Sequence, residues 1–183
     1  IRSEGRMYPP EATLRSNAER IEFDPARTSS MLTLNDATLL AQRDVIIDSE
    51  ANVSLAHATV EATEERASVR TTAQAVLSHV TMNAGKEVVV NAGADIAAEH
   101  AALTSANEVV HLLSTSDAPH IALQHAALTT PSTIEVEVNS TDGLLSVENA
   151  SFRDNDDTVR ITPRCLSVEG RPATGRVADA CGS

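Results

Sequence analysis

Aromatic side chains are almost missing from this chain of 183 residues. Tyr8, Phe23 and Phe152 are the whole set, 2% of the sequence, and there is no Trp. This disfavours an interior anchored by large rings and leaves almost nothing for a surface platform of the kind on which sugars stack. Lysine is nearly missing too: Lys86 stands alone, and 14 basic residues face 26 acidic ones for a net charge of -12. Such a chain offers no electrostatic footprint for nucleic acid. No apolar run approaches the ~20 residues that span a bilayer, and no signal-peptide pattern is present, so a membrane anchor is expected upstream of Ile1. Nucleophile elbow, phosphate-binding glycine loop and HExxH zinc motif are all lacking. The sequence therefore assigns no catalytic residue, no cofactor site and no metal site, and the expected protein is not an enzyme.

What is present is an aliphatic core supply. Apolar residues make up 42% of the chain, near the globular average, and they are mostly Ala, Val, Leu and Ile. A short block recurs through the middle: Asp36-Ala-Thr-Leu, His57-Ala-Thr-Val, His79-Val-Thr-Met, His100-Ala-Ala-Leu, His125-Ala-Ala-Leu and Asn149-Ala-Ser-Phe. The first positions are separated by 21, 22, 21, 25 and 24 residues. A second apolar block accompanies it, as Ile21-Glu-Phe23, Val45-Ile-Ile47, Ala67-Ser-Val69, Val88-Val-Val90, Val109 to Leu112, Ile134 to Val138 and Val159-Arg-Ile161. These blocks are short, and alternation is clearest in Ile134 to Val138, as in a strand. Turn formers such as Asn83-Ala-Gly85, Asn91-Ala-Gly93 and Thr141-Asp-Gly143 lie between them.

The Ala-rich stretch from Ala92 to Ser105 favours helix by propensity alone. Helical repeats, however, use periods of roughly 33 to 47 residues to fit their helices. A shorter period fits two short strands and their turns. The expectation is therefore an all-β, single-stranded β-solenoid (β-helix) with roughly 21–25 residues per coil. The solenoid is placed over residues 20–163, between an N-terminal lead-in or capping segment (1–19) and a C-terminal cysteine loop (164–183).

In such a fold His57, His79, His100 and His125 line up at the rung spacing of about 4.8 Å. Lined-up imidazoles are candidates for metal binding or for a pH response, because stacked rings repel once protonated. The plainer alternative is an exposed turn slot that accepts any polar residue, as Asp36 and Asn149 in the same slot indicate. Asp154, Asp156 and Asp157 form the tightest acidic cluster. Hydrolysis of a sugar needs two carboxylates about 5–10 Å apart in a cleft, whereas Arg153-Asp-Asn-Asp-Asp157 reads as a solvated turn between rungs.

Three N-glycosylation acceptors occur, at Asn52, Asn139 and Asn149. Together they favour an extracytoplasmic location. Cys165 and Cys181 are the only cysteines. In an oxidising compartment they are expected to form a disulfide, whose closed loop of about 15 residues contributes roughly 3 kcal/mol in the chain-entropy account; in a reducing one they are two separate thiols.

The segment Ile134-Glu-Val-Glu-Val-Asn-Ser-Thr-Asp-Gly-Leu-Leu-Ser-Val-Glu-Asn-Ala150 resembles the β/γ/δ branch of the sarcoglycans, in its strand, its Ser-Thr-acidic-Gly turn and its second strand ending in Asn-Ala. Cys165 through Gly170-Arg171 to Cys181 is similar to that family's closing loop, and Ile1-Arg-Ser-Glu-Gly5 resembles the segment after its membrane span. The chain departs from the family in having two cysteines where more are usual, and in its scarcity of Lys and aromatics. The resemblance implies a type II membrane protein with a β-helical ectodomain. Its implied partners are homologous β-solenoid subunits in a hetero- or homo-oligomer, and its implied role is a structural rod that packs side by side with them. A self-polymerising, bactofilin-like filament is the second expectation, since open terminal rungs invite polymerisation. A polysaccharide-active β-helix enzyme is the third.

Overall fold

The computed structural model describes residues 13–16, 19–23, 31–140, 142–162 and 167–178. All regular elements among them are β-strands. No helix among the described residues is long and apolar enough to cross a membrane. The chain winds as a β-solenoid of about seven turns, and each turn lays one strand on each of three parallel sheets.

The first sheet stacks Thr13–Ser16, Thr38–Ala41, Thr59–Ala62, Thr81–Ala84, Ala102–Ser105, Ala127–Thr129 and Ser151–Arg153. The second stacks Arg20–Phe23, Asp44–Ser49, Arg66–Thr71, Glu87–Ala92, Val109–Ser114, Thr133–Val138, Thr158–Thr162 and Arg176–Ala178. The third stacks Leu32–Thr33, Val53–Ser54, Ala75–Val76, Ile96–Ala97, His120–Ala122, Leu144–Ser146 and Ser167–Glu169. The repeated blocks of the sequence are the first and second sheets. The third corrects the expectation of two strands per coil: in four of its seven strands only two residues pair, too few for alternation to show. The Ala-rich stretch supplies the strands Ile96–Ala97 and Ala102–Ser105, because stacking in the solenoid overrides helix propensity. Parallel pairing also extends outside residues 20–163: Thr13–Ser16 pairs with Thr38–Ala41, Ser167–Glu169 with Leu144–Ser146, and Arg176–Ala178 with Thr158–Thr162.

Register makes the core a set of columns. Leu39, Val60, Met82, Leu103, Leu128 and Phe152 follow one another inside the first sheet, all with no exposed surface. Ile47, Val69, Val90, Leu112, Val136 and Ile161 form a second buried column inside the second. Each interior position is one side chain deep, so aliphatic residues fill it. Phe23 and Phe152, the buried phenylalanines, lie in coils near the two ends of the stack. Met31 is the one large apolar side chain that stands exposed among the described residues.

The three corners differ in how they absorb length. From third sheet to first, the spacing between successive coils never changes: 21 residues separate Leu32 from Val53 and Thr38 from Thr59. The spacing is 25 for both Ile96 to Ile121 and Ala102 to Ala127. From first sheet to second it shifts by one in every coil before the final rung, as from 21 between Thr81 and Ala102 to 22 between Val88 and Val110. From second to third it jumps by three, from that 22 to the 25 between Ile96 and Ile121. The extra residues are in the Thr115–Pro119 turn. At this corner buried hydroxyls bind the rung below: Thr71 Oγ1 donates to the Ala51 carbonyl at 2.5 Å and Ser114 Oγ to the Ala94 carbonyl at 2.6 Å. Gly93 sits here with its backbone so close to that of Thr72 that a Cβ would collide with it.

Candidate functional site: a histidine column beside a polar groove

The constant corner is built from Leu34-Asn-Asp-Ala37, Leu55-Ala-His-Ala58, Leu77-Ser-His-Val80, Ala98-Glu-His-Ala101, Leu123-Gln-His-Ala126 and Val147-Glu-Asn-Ala150. In each, the amide of the fourth residue donates to the carbonyl of the first, at 2.9–3.3 Å. The third residue is left-handed: φ is 58° at Asp36, 60° at His57, 59° at His79, 57° at His100, 58° at His125 and 55° at Asn149. Asp, Asn and His are the non-glycine residues that enter this region most readily, while β-branched residues are strained there. The polar slot therefore has a backbone cause. The amide of the left-handed residue is also bound by the next coil, as His57 to the Ser78 carbonyl at 3.1 Å and His79 to the Glu99 carbonyl at 2.9 Å.

Because the corner repeats without change, the four imidazoles stack. Ring centroids are 4.8 Å apart from His57 to His79, 4.6 Å from His79 to His100 and 4.7 Å from His100 to His125, with interplanar angles of 10°, 2° and 3°. All four are exposed. Neighbouring rings are parallel and a full rung apart. One ion held at about 2.0–2.1 Å from a nitrogen on each of two neighbouring rings would need those nitrogens within about 4.2 Å of each other, less than the spacing of the rings. No group of three or more His, Cys, Asp or Glu suited to a metal occurs among the described residues. Metal chelation would need the rings to turn out of the stack.

On the outer face of the third sheet, a groove of about 400 Å³ is lined by Gln124, Ser146, Glu148, Glu169 and Gly170. His120 Nε2 lies 2.9 Å from Ser146 Oγ, and the buried Gln124 Oε1 has no partner. Acyl chemistry on Ser146 would also need free amide donors for an oxyanion. The amides around it are spent: Leu123 donates to the Ser146 carbonyl at 2.8 Å, His125 to Glu148 at 2.9 Å, Val147 to Glu169 at 2.8 Å and Asn149 to Arg171 at 2.8 Å. The groove is an acceptor-rich recess whose backbone is committed to rung pairing. On the second sheet His111 Nε2 is buried without a hydrogen bond. Glu137 Oε2 is 3.3 Å away, out of line for a hydrogen bond but in range for an ion pair when the ring carries a proton.

The candidate residues of the sequence occupy separate places. Asn52 is exposed at the variable corner, its Oδ1 accepting the Gln74 amide at 3.0 Å. Asn139 is exposed at the same corner one coil beyond the long turn, its Nδ2 donating to the Thr115 carbonyl at 3.3 Å. Asn149 is exposed at the constant corner, one rung past His125. Asp154 ties its own turn and the previous coil together: Oδ1 accepts the Asp156 and Thr158 amides at 2.9 Å each and Oδ2 the Ile134 amide at 3.3 Å. That carboxylate caps a corner, as the turn reading expects. Asp156 sits 3.5 Å from Arg160 Nη2. Cys165 and Cys181 lie outside the described residues.

A column of alternating charge runs along the third corner. At the corner between first and second sheets, backbone bonds stack Glu19, Arg43, Glu65, Lys86 and Glu108 in order, so charge alternates up the column. Lys86 Nζ meets Glu65 Oε2 at 2.6 Å and Arg66 Nε meets Glu87 Oε2 at 3.0 Å in the neighbouring column. The hydrogen bond from Lys86 holds Glu65 below the ordinary carboxylate range, and Glu65 in turn raises Lys86. Adjacent opposite-sign pairs such as Glu65-Arg66 and Lys86-Glu87 were its signal in the sequence. No protein-family model, curated protein or solved structure matches the chain.

Proposed function

We propose that the chain is a non-enzymatic structural rod, the extracytoplasmic part of a membrane-anchored, sarcoglycan-like complex that packs laterally with similar solenoid subunits. The observation that supports this best is the stacking of near-identical coils into one body with three parallel sheets of seven or eight strands. Those faces carry hydroxyls, small residues and interleaved charges, with a single exposed large apolar residue among those described. Asn52 and Asn139 on the variable corner are the preferred glycan sites, since glycans there leave the faces open. A glycan on Asn149 would cover the end of the histidine column.

The test is purification of the full-length protein from its native membranes after mild crosslinking. The expected result is a second solenoid chain at fixed stoichiometry, and a mobility shift on deglycosylation that Asn52→Gln with Asn139→Gln abolishes. Recovery as unglycosylated long filaments would replace this reading with the self-polymerising one, and recovery as an isolated soluble monomer would remove both.

A further inference from the structure

The histidine column carries a consequence that is independent of any partner. We propose that it is a pH-responsive element, in which protonation of adjacent imidazoles gives neighbouring rungs the same charge and weakens the stacking of the coils along this corner. The rings sit 4.6–4.8 Å apart, well inside a screening length of about 10 Å at 0.1 M salt.

Little around the column neutralises it. Within its own line, the acidic Asp36 is one coil before His57 and the neutral Asn149 one coil after His125. The preceding turn positions are Ala56, Ser78, Glu99 and Gln124, so one carboxylate flanks the four rings, and Ser78 Oγ holds it at 2.9 Å. Glu148, beside Asn149, accepts the Arg171 amide at 3.1 Å. The first sheet presents Thr59, Thr81, Ala102 and Ala127 outward next to the corner, and Glu61 one position further on. The third sheet places the buried Ser54 and Ala122 and the half-buried Val76 and Ala97 beside this corner, none of them charged. Asp36 can offset charge on His57, and Glu99, held by Ser78 beside His79, on His79 and His100; Glu148 lies one coil past His125.

The spacing also dictates how the response develops. Two protons can occupy alternate positions, about 9 Å apart at twice the rung spacing. A third must neighbour a charged ring. The unfolded chain accepts the same protons without this mutual repulsion, so folding stability falls with acid. Three adjacent pairs at this distance in a water-like medium lower the folding equilibrium constant roughly tenfold.

The test is urea unfolding of the full chain at pH ~7.5 and ~5.0. One variant replaces all four residues with Asn, which the structure accommodates in the same slot at Asn149. A second carries only His79→Asn and His125→Asn. The expected wild-type acid loss exceeds that of the four-Asn variant by roughly tenfold in the equilibrium constant, and shrinks in ~1 M salt. The double variant should match the four-Asn variant although it keeps His57 and His100, because no adjacent pair remains. Equal acid loss in wild type and variants overturns the proposal. So does a double variant that keeps half the loss, which is the signature of independent rings rather than a column.

Discussion

Two corners of the same coil obey opposite rules. The corner from third sheet to first has one length in every coil, a left-handed third residue and a turn bond across its ends. The corner from second sheet to third takes in three extra residues between Ser114 and Ile121 without disturbing the sheets on either side. The difference lies in what each backbone group is committed to. In the constant corner every residue either closes the turn, bonds the next coil or points into the core, so an added residue has no place. In the variable corner the anchors are side-chain hydroxyls such as Ser114 and Thr71, and the chain beyond them can loop outward. Surface function concentrates accordingly: the constant corner carries the one ordered column of titratable rings, and the variable corner carries two of the three glycan acceptors.

The comparison is broken most severely by insertion. One glycine placed between Glu99 and His100 should cost more than about 4 kcal/mol, since it removes the turn bond and shifts the inward set of a strand. The same insertion between Ser116 and Asp117 should cost less than about 1 kcal/mol, because lengthening a loop costs little closure entropy. Urea midpoints followed by circular dichroism would show it; similar losses at both sites would contradict the assignment of rigid and tolerant corners.

A smaller effect separates the corners by residue type. His100→Val forces a β-branched side chain to φ 57°, which should cost about 1–2 kcal/mol, whereas His100→Asn should be nearly neutral. Thr115→Val in the variable corner is expected within about 0.5 kcal/mol of wild type. A valine tolerated at position 100 would mean that the left-handed slot does not select its residue.

The smallest expected effect lies at the third corner. Lys86→Met removes one exposed partner from the alternating column, and its change in midpoint at neutral pH should be barely measurable. Its pH dependence is more telling. Glu65 is lowered in the fold from an ordinary value of 4.5, so its share is complete above that value and is lost as the pH falls through the lower, folded one. Lys86 is raised from 10.5, so its share is complete below that value and is lost as the pH rises through the higher one. The wild-type advantage over Lys86→Met should be flat between the two ranges and fade beyond each. An advantage that grew in acid would refute the pairing.

Much of this was legible in the chain itself. The spacing of the polar-small blocks equals the register spacing of the first sheet, because each block begins at the constant corner and neither gains nor loses residues before its strand. The β-branched blocks became the second sheet for the ordinary reason that six-residue strands show their alternation. Strands such as Ala75–Val76 and Ile96–Ala97 stayed hidden, being defined by stacking on neighbours over twenty residues away rather than by local pattern. The alignment of four histidines was visible as a recurrence. Their left-handed backbone was not, nor was the reason that Asp and Asn share the slot. The recess around Ser146, His120 and Gln124 joins residues from successive coils, and nothing in the linear order singles them out.

By itself the sequence determined the class of fold, the period of its coils and the aliphatic nature of its interior, since a repeat can bury its apolar face only against copies of itself. It also determined which residues would recur at one position. The tertiary structure alone decided that the coil has three sides, which corner is rigid, and that imidazoles from coils 21 to 25 residues apart lie face to face under 5 Å from each other. Those are properties of distance in space, created when parallel stacking brings remote positions into register.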